Sequence, residues 1–140
     1  MVDANLRSPR LHTHYHLNNH QGLKDLLTES AEIDFHDVVQ KSEQTNLFVL
    51  SAGEMAADFS RMLASSQMEN LNQQFKEAFD LIVYTAPAFL AYMDTSFLAA
   101  HTDGVIGVVK IGTTPKSSVS KSLQQMENFE LRNLGIVAEQ

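Results

Sequence analysis

Four of the chain's histidines crowd into one stretch, at His12, His14, His16 and His20. In an extended segment alternate residues share a face, so His12, His14 and His16 would offer three imidazoles suited to zinc, nickel or copper. The same spacing fits a solvated surface stretch, because no carboxylate or cysteine completes the set. Arg7 and Arg10, just upstream, suit a phosphate or a partner's carboxylate, and equally a solvated turn. Residues 79–87 read Phe-Asp-Leu-Ile-Val-Tyr-Thr-Ala-Pro, a buried-strand pattern that runs out at Thr85. A threonine hydroxyl holds a water but brings no negative charge to a divalent cation. No G-x-x-x-x-G-K-[ST] run occurs in the 140 residues, so the amide cradle and lysine that grip a nucleotide's phosphates are not among them.

The elements that would carry these side chains alternate in type. Met1 to Asn5 reads as the end of a strand entering the polar turn Leu6-Arg7-Ser8-Pro9-Arg10. Leu23, Leu26 and Leu27 fall at helical spacing, and Val38 and Val39 mark a second short segment. Leu47 to Leu50 is a compact run of strand formers closed by the turn Ser51-Ala52-Gly53. Met55, Phe59, Met62 and Leu63, then Met68, Leu71, Phe75 and Phe79, form two helical stripes, with Ser65-Ser66 between them to cap the second. Leu81 to Tyr84 and Val105 to Val109 lack polar alternation, as strands do when both sheet faces are covered. Leu90, Met93, Phe97 and Leu98 predict a helix, with Asp94 capping the part that carries Phe97 and Leu98. Val119, Leu123 and Met126 predict another, started by Thr114 as cap and Pro115 in the first helical position. Leu134 to Ala138 supplies a last strand. This alternation predicts an α/β fold, a mostly parallel sheet with helices on both faces.

At 140 residues, 44% hydrophobic and 19% charged, the chain suits one globular domain spanning residues 1–140. A formal charge of -7 and a pI near 5.2 argue against binding nucleic acid, which needs a basic face to displace counterions. Zero cysteines exclude disulfides, thiolate zinc sites and cysteine nucleophiles, and fit a reducing compartment. No apolar run approaches the roughly 20 residues of a membrane helix, and Met-Val-Asp-Ala-Asn is no secretory leader. A cytoplasmic protein with no direct membrane insertion is expected.

Several strings in order are similar to one known family. Residues 2–12, Val-Asp-Ala-Asn-Leu-Arg-Ser-Pro-Arg-Leu-His, resemble the second Walker-type motif, D-x-D-x-R followed by R-P, of bacterial tyrosine kinases and related polysaccharide co-polymerase domains. Residues 22–27 resemble G-L-S-D-L-L, and residues 46–53 resemble N-L-x-V-L-P-A-G. Residues 79–94 resemble F-D-L-V-I-I-D-T-P-P with its downstream aspartate. Residues 103–112 and 134–138 resemble D-G-V-x-x-V-V-x-x-G and L-G-[IV]-V. The likeness covers essentially the whole chain and points to the MinD-like branch of P-loop ATPases. It implies a cytoplasmic domain that binds ATP and magnesium, forms oligomers, phosphorylates a tyrosine-rich tail and controls export or chain length of capsular or extracellular polysaccharide. It also places Asp3, Asn5, Arg7, Thr85 and Pro87 at a vestigial nucleotide site.

The departures from that pattern carry the functional expectation. Asn5 stands at the motif's second acidic position and Thr85 at the later one. Residues 56–63, Ala-Ala-Asp-Phe-Ser-Arg-Met-Leu, replace P-P-N-P-S-E-L-L. The phosphate-binding loop with its strand would precede Met1, and the tyrosine-rich tail would follow Gln140. Phosphoryl transfer depends on positioning and charge neutralisation, and one lost electrostatic contact typically costs about 10² to 10³ in rate. These residues alone are therefore expected to bind no cofactor and to catalyse nothing, a pseudoenzyme acting through protein contacts. The alternative is a kinase or ATPase whose phosphate loop comes from another polypeptide or an upstream segment. An interior strand missing from the sheet would leave unpaired edges, so a homo-oligomer or a polysaccharide-export membrane protein is the expected partner, and the latter would recruit the chain to the membrane's inner face.

Overall fold

The computed structural model describes residues 1–28, 33–44, 46–54 and 58–140. These form two compact units, residues 1–87 and 88–140.

The first unit contains β1 (Val2–Asp3), α1 (Leu11–His14), α2 (Leu23–Leu26), α3 (Phe35–Val38), β2 (Gln40–Lys41), β3 (Phe48–Val49), α4 (Phe59–Leu63), α5 (Ser66–Ala78) and β4 (Tyr84–Thr85). Strand β1 pairs in parallel with β4, Val2 beside Tyr84 and Asp3 beside Thr85. On its other edge a parallel bridge joins Val2 to Leu50, where Asp3 donates its amide to the Leu50 carbonyl at 2.9 Å. Strand β3 is antiparallel to β2. The apolar stripe of α5 supplies the cover: Met68, Leu71 and Phe75 are all buried, and the Phe75 ring meets Phe35 edge-on at 5.2 Å. Ser65 starts this helix as its sequence suggests, its hydroxyl accepting the Met68 amide at 3.3 Å. In α4 the stripe holds for Phe59 and Leu63, both buried, while Met55 lies outside the described residues, as do Ala56 and Ala57.

The short helix α2 is set by loop geometry. Gly22 packs so tightly on the turn after Leu50 that a Cβ there would meet the Ser51 carbonyl oxygen at 2.2 Å. Only a residue without a side chain permits the bonds from the Leu23 amide to Ser51 and from the Lys24 amide to Ala52. Asp25 reaches back to accept the Gly22 amide at 2.8 Å, closing the start of α2.

The second unit contains α6 (Asp94–Ala99), β5 (Val105–Lys110), α7 (Lys116–Asn128) and β6 (Asn133–Glu139). Strands β5 and β6 run parallel, with an irregularity between Val105 and Ile106. Both end helices differ in detail from the sequence expectation. Helix α6 begins at Asp94 itself with Met93 in the cap position, so the aspartate lies in the first turn, and Leu90 and Met93 fall outside the helix. Helix α7 begins at Lys116 with Pro115 at the cap. The Thr114 hydroxyl is engaged elsewhere, accepting the Lys110 amide at 3.0 Å.

The fold is thus α/β, with short parallel strands flanked by helices. The doubly covered strands are the exception. Leu81 is 78% exposed and Val83 42%, and the ladder to β1 takes in only Tyr84 and Thr85. On β5, Ile106 and Val108 are 58% and 65% exposed. An unbroken apolar run marks a strand, but it does not supply what covers it. No described helix is long and apolar enough to cross a membrane.

Candidate functional site

The first unit holds a buried carboxylate. Strand β1 ends at Asp3, which is 1% exposed. The chain then folds back, so that the amides of Arg10 and Leu11 donate to its Oδ2 at 2.8 and 2.9 Å. Its Oδ1 accepts the Asn5 amide at 3.3 Å and the Thr85 hydroxyl at 3.1 Å. The parallel register that sets Asp3 beside Thr85 puts both side chains on one face of the sheet, which is why residues far apart in sequence meet.

Of the residues singled out in the sequence, Asp3, Asn5 and Thr85 therefore converge. The Asn5 side chain turns to its own loop, accepting the Ser8 amide at 3.2 Å. Arg7 lies with its guanidinium carbon 5.3 Å from the centre of the Phe59 ring, a cation–π contact that leaves it half-buried. Pro87 follows β4 at the end of the unit and is half-buried.

The histidines do not line up. Residues 11–14 form a helical turn rather than an extended segment, so His12 and His14 point about 200° apart. His16 adopts a left-handed backbone (φ 54°), and the His14 ring packs edge-on to Tyr15. Among the described residues no three histidine, aspartate or glutamate side chains gather as a metal would require.

Other polar features were not foreseen. The Tyr84 hydroxyl donates to Asn72 Oδ1 at 2.9 Å, and burial raises its pKa above the usual phenol value. The Asn19 carboxamide pairs with both backbone groups of Gly53, at 2.9 and 3.1 Å, and the Gln40 carboxamide does the same to Asn18, at 2.9 and 2.8 Å. These two clamps fix the loop that follows α1. Asparagine and glutamine in loops are too common for sequence to have announced them.

No protein-family model matches the chain. It is 28% identical over 137 residues to tyrosine-protein kinase YwqD of Bacillus subtilis, a match covering 98% of this chain and 57% of that protein. Among solved structures it superposes on the VpsO kinase domain with a TM-score of 0.93 at 26% identity, covering 99% of this chain and 68% of that one. It superposes on the chimerical protein CapA2B2 with a TM-score of 0.92 at 25% identity, covering 98% and 60%. Its homologues are bacterial tyrosine-protein kinases. The chain spans little more than half the length of YwqD, so what the match transfers is the fold and the order of elements around Asp3 and Thr85. At the ends of β1 and β4 the donor set does not fit the magnesium ion that a tyrosine kinase uses with ATP. Both Asp3 oxygens are already engaged, and Thr85 contributes no charge.

Proposed function

We propose that this chain is a non-catalytic relative of the bacterial tyrosine kinases that regulate capsular and extracellular polysaccharide assembly, and that it acts through protein contacts. One observation carries the reading. Where β1 and β4 end side by side, the chain sets a single carboxylate and a hydroxyl that donates to it. Two hard oxygen anions would attract a divalent cation at such a place, whereas a carboxylate already holding donors on both oxygens has little left to offer one. Asn5 and Thr85, neutral where the family's motifs carry acidic residues, support the same view. On this reading Asp3, Asn5, Arg7, Thr85 and Pro87 are vestiges of a nucleotide site, and the contacts run to further copies of the chain or to a polysaccharide-export membrane protein at the cytoplasmic face. The exposed Leu81 and Val83 beside β4 are apolar surface of the kind such contacts cover.

Calorimetric titration with magnesium and ATP, together with phosphate release, tests the reading. No binding heat and no turnover above buffer are expected, and turnover by these residues alone would overturn it. A second reading is favoured by the relatives' extra length: a phosphate loop from an upstream segment or another polypeptide would complete a kinase or ATPase. Repeating the titration with that segment joined or added separates the two, since only the second reading expects binding to appear.

A further inference from the structure

We infer that Asp3 serves as the anchor of a strap, residues 5–11, and that Thr85 locks the anchor in place. A carboxylate has about four acceptor sites, and here four donors use them: the amides of Asn5, Arg10 and Leu11 and the hydroxyl of Thr85. Three of the four come from the strap itself. The amides of Arg10 and Leu11 converge on one oxygen, so the strap closes on the end of β1 and leads directly into α1, where the His14 amide bonds back to the Arg10 carbonyl at 3.0 Å. Thr85 completes the second oxygen from the neighbouring strand. The middle of the strap is held too, by Arg7 over Phe59 and by the Ser8 amide on Asn5. The four contacts on Asp3 all come from the chain itself. A cation approaching Asp3 would have to displace these donors. An acidic residue at position 85 would set a second carboxylate beside the buried Asp3, about 3 Å away, so the hydroxyl and the closed strap belong together.

The lock can fail without making the chain an enzyme, and the chain can be inactive without the lock, so the two ideas are tested separately. Amide exchange at Arg10 and Leu11, read by NMR against Leu27 in the α2 turn, isolates the strap from global unfolding. Asp3→Asn, which swaps one oxygen for a donor, should speed exchange at Arg10 and Leu11 by more than about tenfold relative to Leu27. Thr85→Val should give a smaller selective increase, and Thr85→Ser, which keeps the hydroxyl, should match the unaltered protein. Millimolar magnesium should leave both amides unchanged. Should Asp3→Asn fail to fold, the Val and Ser pair and the magnesium titration decide. Equal exchange in all the variants, or slowing of the strap by magnesium in the unaltered protein, would overturn the inference.

Discussion

The paired ends of β1 and β4 and the β5–β6 ladder are both short parallel pairings, yet they reverse the usual distribution of polar and apolar groups. In the first, a charged side chain lies at 1% exposure with a donor at each lone pair. In the second, Ile106, Val108 and Val137 stand 58%, 65% and 54% exposed. Burying an unpaired charge is costly, whereas an exposed valine merely forgoes a gain. The polar cluster is therefore expected to tolerate little change, and the exposed sheet face much.

The widest separation is expected between the buried core beneath the first pairing and the exposed face of the second. Phe75→Ala removes a ring that is 1% exposed and packed on Phe35, and is expected to cost about 3–5 kcal/mol in chemical denaturation. Val108→Thr, on the exposed face of β5, is expected to stay within roughly 0.5 kcal/mol. A Val108→Thr loss as large as that of Phe75→Ala would mean that β5 is covered in solution, and would erase the contrast.

A smaller effect sharpens the polar side. Tyr84→Phe deletes the hydroxyl that serves Asn72 and should cost about 1–2 kcal/mol near neutral pH. Burial raises the Tyr84 pKa above the ordinary phenol value near 10. The unfolded chain therefore loses this proton first, and the stabilisation from the neutral hydroxyl falls away as pH climbs past 10. Denaturation curves of both proteins across that range should converge with rising pH. Curves that stay parallel would show that Tyr84 ionises equally readily in both states.

Sequence made the long elements plain because they rest on periodicity. The stripe Met68, Leu71, Phe75 and the Ser65 cap announce α5, and Val119, Leu123 and Met126 announce α7. The family likeness rested on such strings as well, and the homologues bear it out. Thr85 was visible as a departure, but the hydrogen bond it donates to Asp3 was not. Both donors to Asp3 Oδ2 are backbone amides, and no residue type reveals where a backbone will turn. The histidine stretch departs from alternate spacing for a related reason. Leu11 is drawn onto the Asp3 carboxylate and starts a helical turn, so the alternate spacing of an extended segment never applies.

The mildest expected effect lies at an exposed cap, outside both regions. Asp34 accepts the His36 amide at 2.9 Å at the start of α3, and its carboxylate also meets the His36 ring at 2.6 Å. The backbone hydrogen bond, helped by the ring, holds the Asp34 pKa below its ordinary value of 3.8. A carboxyl whose folded pKa is depressed stabilises the fold above the unfolded value and loses that contribution as pH falls through the folded one. Acidification below about pH 4 should therefore weaken α3 slightly. Asp34→Asn keeps an acceptor at the cap but has no proton to take up, so its acid limb should be shallower than that of the unaltered protein. The comparison is read best from the exchange of the Val39 amide, which bonds to Phe35 across this turn at 2.9 Å. Identical acid limbs for the two proteins would place the acid sensitivity at other carboxylates.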